Sequence, residues 1–292
     1  MWISDSWRDY ELLDCSEGER LERWGKYILI RPDPQVIWKT EKKAPEWKRA
    51  DARYIRSSKG GGTWETKGRV PERWHIKYKD LTFGVRMMGF KHTGIFPEQA
   101  VNWDRMTKII KGAGREVKVL NLFAYTGCAT VADAAAGASL CHVDASRGMV
   151  AEAKENARMS GLESAPIRYI VDDCLKFVER EIRRGHKYDG IIMDPPSYGR
   201  GPSGEVWHIE ESIHELITKT SALLSDSALF FLVNSYTTGL SPMTIEYMLK
   251  LENAERGGHT ESGELALPVK YSGGLLPCGA SAWWLSSGAE EK

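Results

Sequence analysis

Long apolar runs are missing from this chain. No stretch in its 292 residues approaches the roughly 18 consecutive apolar residues of a membrane span. The opening MWISDSWRDYELLD is acidic and lacks the basic and apolar regions of a secretory signal. Cysteine is scarce: Cys15, Cys128, Cys141, Cys174 and Cys278 are five, an odd number, and form no CxxC pair. That spacing argues against a zinc site and suits reduced thiols in a cytosol, so a cytoplasmic protein without a metal is expected. An excess of charge is missing too, with 40 Lys+Arg against 40 Asp+Glu. The 42% hydrophobic content is that of an ordinary soluble globular protein. The length suits one large domain, or one domain with an appendage.

The balance of charge hides an asymmetry. Residues 31–91 carry 16 Lys+Arg and 7 Asp+Glu, a local charge of +9, and eight of the eleven tryptophans lie at or before Trp103. Bases interleaved with aromatics suit a polyanion with stackable bases; the plainer reading is a solvated face.

Two halves differ in pattern. Residues 1–100 read as a β-rich, basic, Trp-rich extension. KYILIRPDPQVIW (26–38) is strand-like with breaks at Pro32 and Pro34. Residues 42–74 are polar, basic and interrupted by Gly60, Gly61 and Gly62, which predicts a mobile basic loop. Residues 74–87 alternate apolar and polar as a half-buried strand pair does. From 101 to 292 strand-length apolar runs alternate with helical stretches. Strands are expected at 117–123, 139–144, 167–171, 188–194 and 228–235, with helices at 129–138, 146–161, 174–185 and 206–225. The fold class is therefore α/β, a parallel sheet covered on both faces, with ligands outside the carboxyl ends of its strands.

Those ends are polar. The first leads into Asn121-Leu122-Phe123-Ala124-Tyr125-Thr126-Gly127, the second ends at Asp144 before Ala145 and Ser146, and the third meets Asp172, Asp173 and Cys174. The fourth ends at Asp194-Pro195-Pro196-Ser197-Tyr198, and the fifth at Asn234-Ser235-Tyr236. The GxGxxG of dinucleotide folds is absent, which disfavours a pyrophosphate and an NAD-dependent dehydrogenase. Gly127 alone would still let a ligand approach the backbone. A carboxylate ending the second strand matches a ribose diol, so a nucleoside without phosphates, such as S-adenosylmethionine, fits. Asp173 would accept from an adenine amino group. Alternatively, Asp144 and Asp173 only cap the helices that follow them. Prolines have no N–H and fix φ, so the carbonyls after Asp194 can point outward as acceptors. A planar base could donate to Asp194 and the Pro195 carbonyl while stacking on Tyr198, and its orientation would supply most of the catalysis.

On these motifs, LNLFAYTG, HVDAS, VDDC and DGIIMDPPSYGRG, the chain from Lys91 to Leu232 resembles the class I SAM-dependent methyltransferases of the bacterial rRNA-base branch. The resemblance implies a Rossmann-like seven-stranded sheet. It places residues 121–127 near the methionine part of the cofactor, Asp144 on the ribose and Asp173 near adenine. KHTGIFPEQAVNW (91–103) resembles the segment that precedes the catalytic domain in this branch, which implies that Phe96, Glu98 and Gln99 lie over the cofactor. Two departures stand out. Residues 1–90 do not read as the RNA-binding PUA module of many relatives. The cysteine nucleophile of the cytosine-C5 members is absent, its place taken by Asn234-Ser235-Tyr236. Carbon methylation of a pyrimidine needs that thiolate, so a nitrogen acceptor is expected, with Asn234 and Tyr236 lining the pocket and Arg200 on phosphate or base. The expected partner is RNA, ribosomal RNA first, with a small molecule or protein as the alternative acceptor; a non-catalytic cofactor-binding protein is a further reading. A homodimer is compatible with the sequence.

Overall fold

The structure, a computed structural model, describes residues 1–57, 61–68, 70–89, 91–200 and 206–289. The chain forms two compact units. One holds Met1–Trp2, Asn102–Leu265 and Gly279–Lys292; the other holds Ile3–Val101 and Ala266–Cys278. No helix among the described residues is long and apolar enough to cross a membrane.

A two-residue strand, β1 (Trp2–Ile3), opens the chain. A five-stranded sheet follows, built in order from β2 (Tyr10–Ser16), β3 (Glu19–Trp24), β4 (Tyr27–Pro32), β5 (Ala52–Arg56) and β6 (Gly62–Thr66), with a short helix, α1 (Glu46–Arg49), between β4 and β5. β4 and β5 are parallel and the other neighbours antiparallel. β7 (Arg73–Tyr78) and β8 (Leu81–Arg86) pair as the antiparallel ribbon that their alternation predicts. The basic run 42–74, expected as a loop, instead contributes α1, β5 and β6. Tyr54 and Trp64 sit opposite each other on β5 and β6 with ring centroids 5.4 Å apart, which gives that polar run something to bury. Gly60 lies outside the described residues. Many of the segment's bases are held by acids. Lys42 reaches Glu17 and Glu19, and Arg53 reaches Glu19; before the run, the buried Arg31 pairs with Glu22 at 2.6 Å.

The other unit carries the alternation. After α2 (Ala100–Gly112) come β9 (Lys118–Leu122), α3 (Cys128–Ala135), β10 (Ser139–Asp144), α4 (Arg147–Met159), β11 (Ile167–Val171) and α5 (Cys174–Arg184). Then follow β12 (Gly190–Met193), β13 (Tyr198–Arg200), β14 (Val206–His208), α6 (Ile209–Ser221), β15 (Phe230–Ser235), α7 (Pro242–Glu252), β16 (His259–Pro268) and β17 (Leu275–Leu285). The main sheet has the order β1-β16-β17-β15-β12-β9-β10-β11. β15, β12, β9, β10 and β11 are parallel, and β17 is antiparallel to β15. Seven strands match the expectation, and the short β1 adds an eighth at the edge.

Strands covered on both faces must be apolar at nearly every position. GIIM in β12 and FFLVNS in β15 are buried throughout. Gly190 is required where it stands: a Cβ there would lie 2.4 Å from the Phe230 ring. Phe177, Ile213, Leu216, Phe231 and Trp284 join these strands in one core. β9 has β10 on one side and β12 on the other, so the strand order reverses there. The crevice outside its carboxyl end is where such sheets take ligands.

Candidate active site

The turn after β9 is folded tightly against β10. Ala124 N–H donates to the Val143 carbonyl at 3.0 Å, Tyr125 N–H to Asp144 Oδ2 at 2.9 Å, and Phe123 N–H to the Cys174 thiol at 3.3 Å. Phe123 (φ 55°) and Tyr125 (φ 49°) both hold left-handed backbone, a strain on the order of 1–2 kcal/mol each for a residue with a side chain. Gly127 (φ 75°) stands at the N-cap, directly before α3. Its missing Cβ would lie 2.6 Å from Ala153 Cβ, so close packing of α3 on α4 accounts for this glycine without a ligand. Thr126 is buried; its carbonyl accepts from Asn156, and its hydroxyl lies 3.7 Å from the Cys128 thiol.

Asn121 points into the interior. Its amide donates to Thr130 Oγ1 at 3.0 Å, which meets His142 Nδ1 at 2.9 Å. Burial pushes the imidazole down to about 3, so it stays neutral.

Asp144 ends β10, partly exposed, with each oxygen accepting one amide: Oδ1 from Ser146 at 2.8 Å and Oδ2 from Tyr125. Burial raises its pKa, and those two amides pull it back. The helix cap belongs to Ser146, whose hydroxyl accepts from Met149, while Ala145 and Ser146 are exposed. Asp173 does cap α5, accepting from Lys176 at 2.9 Å. Asp172 accepts from the Asp173 amide and pairs with Arg180. Burial raises the pKa of the Cys174 thiol.

β12 delivers Asp194, whose amide donates to the Leu122 carbonyl at 3.4 Å and so joins the tips of β9 and β12. Pro195 is buried, and its carbonyl takes no hydrogen bond from any described residue. The Pro196 carbonyl, expected to be open, is occupied: Trp207 Nε1 donates to it at 2.7 Å. Trp207 sits on β14, in a run that the sequence reading gave to a helix. Val206-Trp207-His208 pair instead with Arg200, Gly199 and Tyr198 of β13. The signal was the β-branched and aromatic content of that triplet. Tyr198 is about half exposed and meets His208 edge-on at 5.2 Å. Arg200 belongs to β13 by its backbone; its side chain lies outside the described residues.

Asn234 is buried rather than lining an open pocket. Its amide oxygen accepts from Ser281 at 2.7 Å and from Asn102 at 3.3 Å. The Tyr236 ring packs on Gly279, where a Cβ would lie 2.7 Å away. Phe96, Glu98 and Gln99 belong to the other compact unit. Pro97–Gln99 form a 3-10 turn, and Gln99 N–H donates to the Phe96 carbonyl at 3.1 Å. Glu98 is buried, which raises its pKa, and its Oε2 has no hydrogen-bond partner among the described residues.

The tips of β9, β10, β11 and β12 thus gather a strained turn, Asp144, Asp173 and Asp194. A carboxylate has about four acceptor positions, and Asp144 uses two of them on amides. Both oxygens keep capacity for a diol, which fits a nucleoside such as S-adenosylmethionine. Among the described residues no group of three or more His, Cys, Asp or Glu side chains could hold a metal ion.

A model of the S-adenosylmethionine-dependent methyltransferase family matches residues 40–239. A crystal structure of a SAM-dependent methyltransferase from Agrobacterium tumefaciens is 36% identical, with a TM-score of 0.92 over 97% of this chain and 92% of that one. Ribosomal RNA large subunit methyltransferase K/L of Shewanella frigidimarina is 28% identical over 206 residues, 69% of this chain but 26% of that protein. Ribosomal RNA large subunit methyltransferase K of Neisseria meningitidis is 27% identical over 228 residues, 73% of this chain and 63% of that protein. The chain thus spans about a quarter of the length of the K/L relative.

Proposed function

Because this chain belongs to the S-adenosylmethionine-dependent methyltransferases, we propose that it methylates a nitrogen of an RNA base, with ribosomal RNA as the first candidate. The cofactor supplies an electrophilic methyl group on a sulfonium. Asp144 accepts from the ribose hydroxyls, Asp173 lies toward adenine, and the Phe123–Gly127 turn faces the methionine part. Asp194 and the Pro195 carbonyl accept hydrogen bonds from the base and aim its nitrogen at the methyl group. In-line geometry of this kind supplies much of the rate for a transfer that needs no covalent intermediate. Residues 101–292 carry the chemistry, and residues 1–100 contribute RNA contacts.

The observation that carries the reading is the tip of β12. Asp194-Pro195 stands against the β9 tip through the Leu122 carbonyl, with the Pro195 carbonyl taking no bond from any described residue. The tip of β15 offers Asn234-Ser235-Tyr236, and all five cysteines are buried, which favours nitrogen over pyrimidine carbon as acceptor. The names of the relatives from Shewanella frigidimarina and Neisseria meningitidis favour ribosomal RNA. The zero net charge and the pairing of Lys42 and Arg53 with acids favour a second reading, a small-molecule or protein acceptor. Mass spectrometry of nucleosides from a deletion strain separates the two. Loss of one N-methylated nucleoside supports the RNA reading; an unchanged nucleoside profile overturns it.

A further inference from the structure

The β13–β14 ribbon has two faces, because successive residues of a strand point to opposite sides and cross-strand partners share a side. Tyr198 and His208 are partners and meet on one face, their rings 5.2 Å apart. Gly199 and Trp207 are partners on the other. A Cβ at Gly199 would make only ordinary contacts, 3.7 Å from Trp207 Cβ and 3.8 Å from the Pro196 ring, which places Trp207 and Pro196 on that side of the ribbon. The Trp207 indole lies on that face. Its N–H holds the Pro196 carbonyl at 2.7 Å, and its ring centroid lies 6.1 Å from that of Phe123. Phe123 is one of the two residues, with Tyr125, held in left-handed backbone in the turn after β9. Trp207 and Phe123 also pack together against the main core. One side chain therefore touches both the acceptor loop and the cofactor turn.

We propose that Trp207 is the positioning residue of this active site: it sets the spacing between the Asp194–Pro196 loop and the Phe123 turn. The proposal rests on the reading of residues 194–196 as the acceptor loop. The rigidity of two adjacent prolines fixes the loop internally but not its place relative to the cofactor. The Asp194 amide on the Leu122 carbonyl anchors the start of the loop; the N–H bond to Pro196 anchors its far end, and the ring contact with Phe123 makes that anchor responsive to the cofactor. The aromatic ring directed at the cofactor turn is then Trp207, with Tyr198 on the reverse face of the ribbon. The role matches the chemistry, because misplacing reacting groups by about 1 Å can cost on the order of 100-fold in rate.

The test uses the full chain labelled with 5-fluorotryptophan, with Trp207→Phe to assign the Trp207 fluorine resonance. Saturating S-adenosylhomocysteine is expected to shift that resonance. Trp207→Phe keeps a ring against Phe123 and loses the N–H. It is expected to bind S-adenosylhomocysteine within about twofold of wild type and to melt at the same temperature. Its kcat for methyl transfer to RNA from the deletion strain is expected to fall about tenfold, the weight of one hydrogen bond, with KM little changed. His208→Ala, on the reverse face, is expected to keep wild-type kcat. A Trp207 resonance that ignores the cofactor, or wild-type kcat in Trp207→Phe, overturns the proposal. If the wild-type chain transfers no methyl group to RNA, the RNA reading fails by itself, and the fluorine experiment still decides the role of Trp207.

Discussion

The Tyr125 amide donates to Asp144 Oδ2 at 2.9 Å, so the turn after β9 and the end of β10 hold each other in place. The carboxylate is therefore both a brace for the turn and a ligand candidate. Its other oxygen takes the Ser146 amide at 2.8 Å, which fixes the plane of the carboxylate in the crevice.

Removing that carboxylate should weaken cofactor binding. Asp144→Ala is expected to lose about 10- to 100-fold in affinity for S-adenosylhomocysteine, the worth of hydrogen bonds to a charged group. Asp144→Asn keeps one acceptor oxygen and should lose less. Burial raises the pKa of Asp144, and the ribose contact needs its charged form. Affinity should therefore begin to fall, as pH is lowered, at a higher pH than for an ordinary aspartate. Isothermal titration calorimetry across pH reads both effects; wild-type affinity in Asp144→Ala would remove the ribose assignment.

Asp194 should matter to transfer and little to cofactor affinity. Asp194→Ala is expected to keep S-adenosylhomocysteine binding within a few-fold and to lose roughly 100-fold or more in kcat, as removal of a positioned polar group in an active site does. Asp194→Asn, whose amide oxygen still accepts, should recover part of that loss. Single-turnover methyl transfer from labelled cofactor to RNA is the measurement, and near-normal turnover in Asp194→Ala would exclude its role.

Asp133 on α3 predicts a pH-dependent stability unrelated to catalysis. It is fully buried, neither oxygen has a hydrogen-bond partner among the described residues, and burial raises its pKa well above the ordinary value. The native side chain stays protonated where the unfolded one has ionised, so unfolding releases a proton. This contribution is full below the unfolded pKa and declines as pH rises toward the folded one, by about 1.4 kcal/mol per pH unit within that window. Asp133→Asn does not titrate. Urea denaturation should show its stability relative to wild type increasing from pH 5 to pH 8; a constant difference would contradict the burial of a neutral acid.

The basic residues of the N-terminal unit are not equivalent. Lys42 is partly buried between Glu17 and Glu19, whereas Lys43, Lys48 and Arg49 are exposed, Lys43 and Arg49 with one neighbouring acid each, Glu41 and Glu46. Reversing Lys43, Lys48 and Arg49 to Glu should weaken RNA binding and flatten its salt dependence, since each lost phosphate contact removes about one unit of slope. Filter binding at several salt concentrations measures this. An unchanged slope would favour the small-acceptor reading.

Much of the sheet was legible because its signals are local. Ser139–Asp144 and Ile167–Val171 coincide with the expected strands at both ends. Both are apolar runs with polar turns beside them. Asp173 showed its capping role through its place before a helical pattern. The failures were long-range. Val206-Trp207-His208 form a strand only because Tyr198–Arg200 lies opposite, and α6 starts at Ile209 without a side-chain cap to mark the boundary. Helix α2 was not expected: it begins inside 91–103, which was read only by its resemblance to the segment preceding the catalytic domain. Asn234 looked like a pocket residue because its partners, Asn102 and Ser281, are far away in the chain. The Pro196 carbonyl looked open for the same reason.

Gly127 has a consequence for altering this enzyme. Ala153 of α4 occupies the volume that any larger residue at 127 would claim. Enlarging residue 127 would force α4 outward, and α4 starts at Arg147, directly after the Asp144-Ala145-Ser146 corner. Through that helix, a substitution at this glycine reaches the Asp144 corner on the far side of the turn. Any enlargement at 127 would have to be paired with a change at 153.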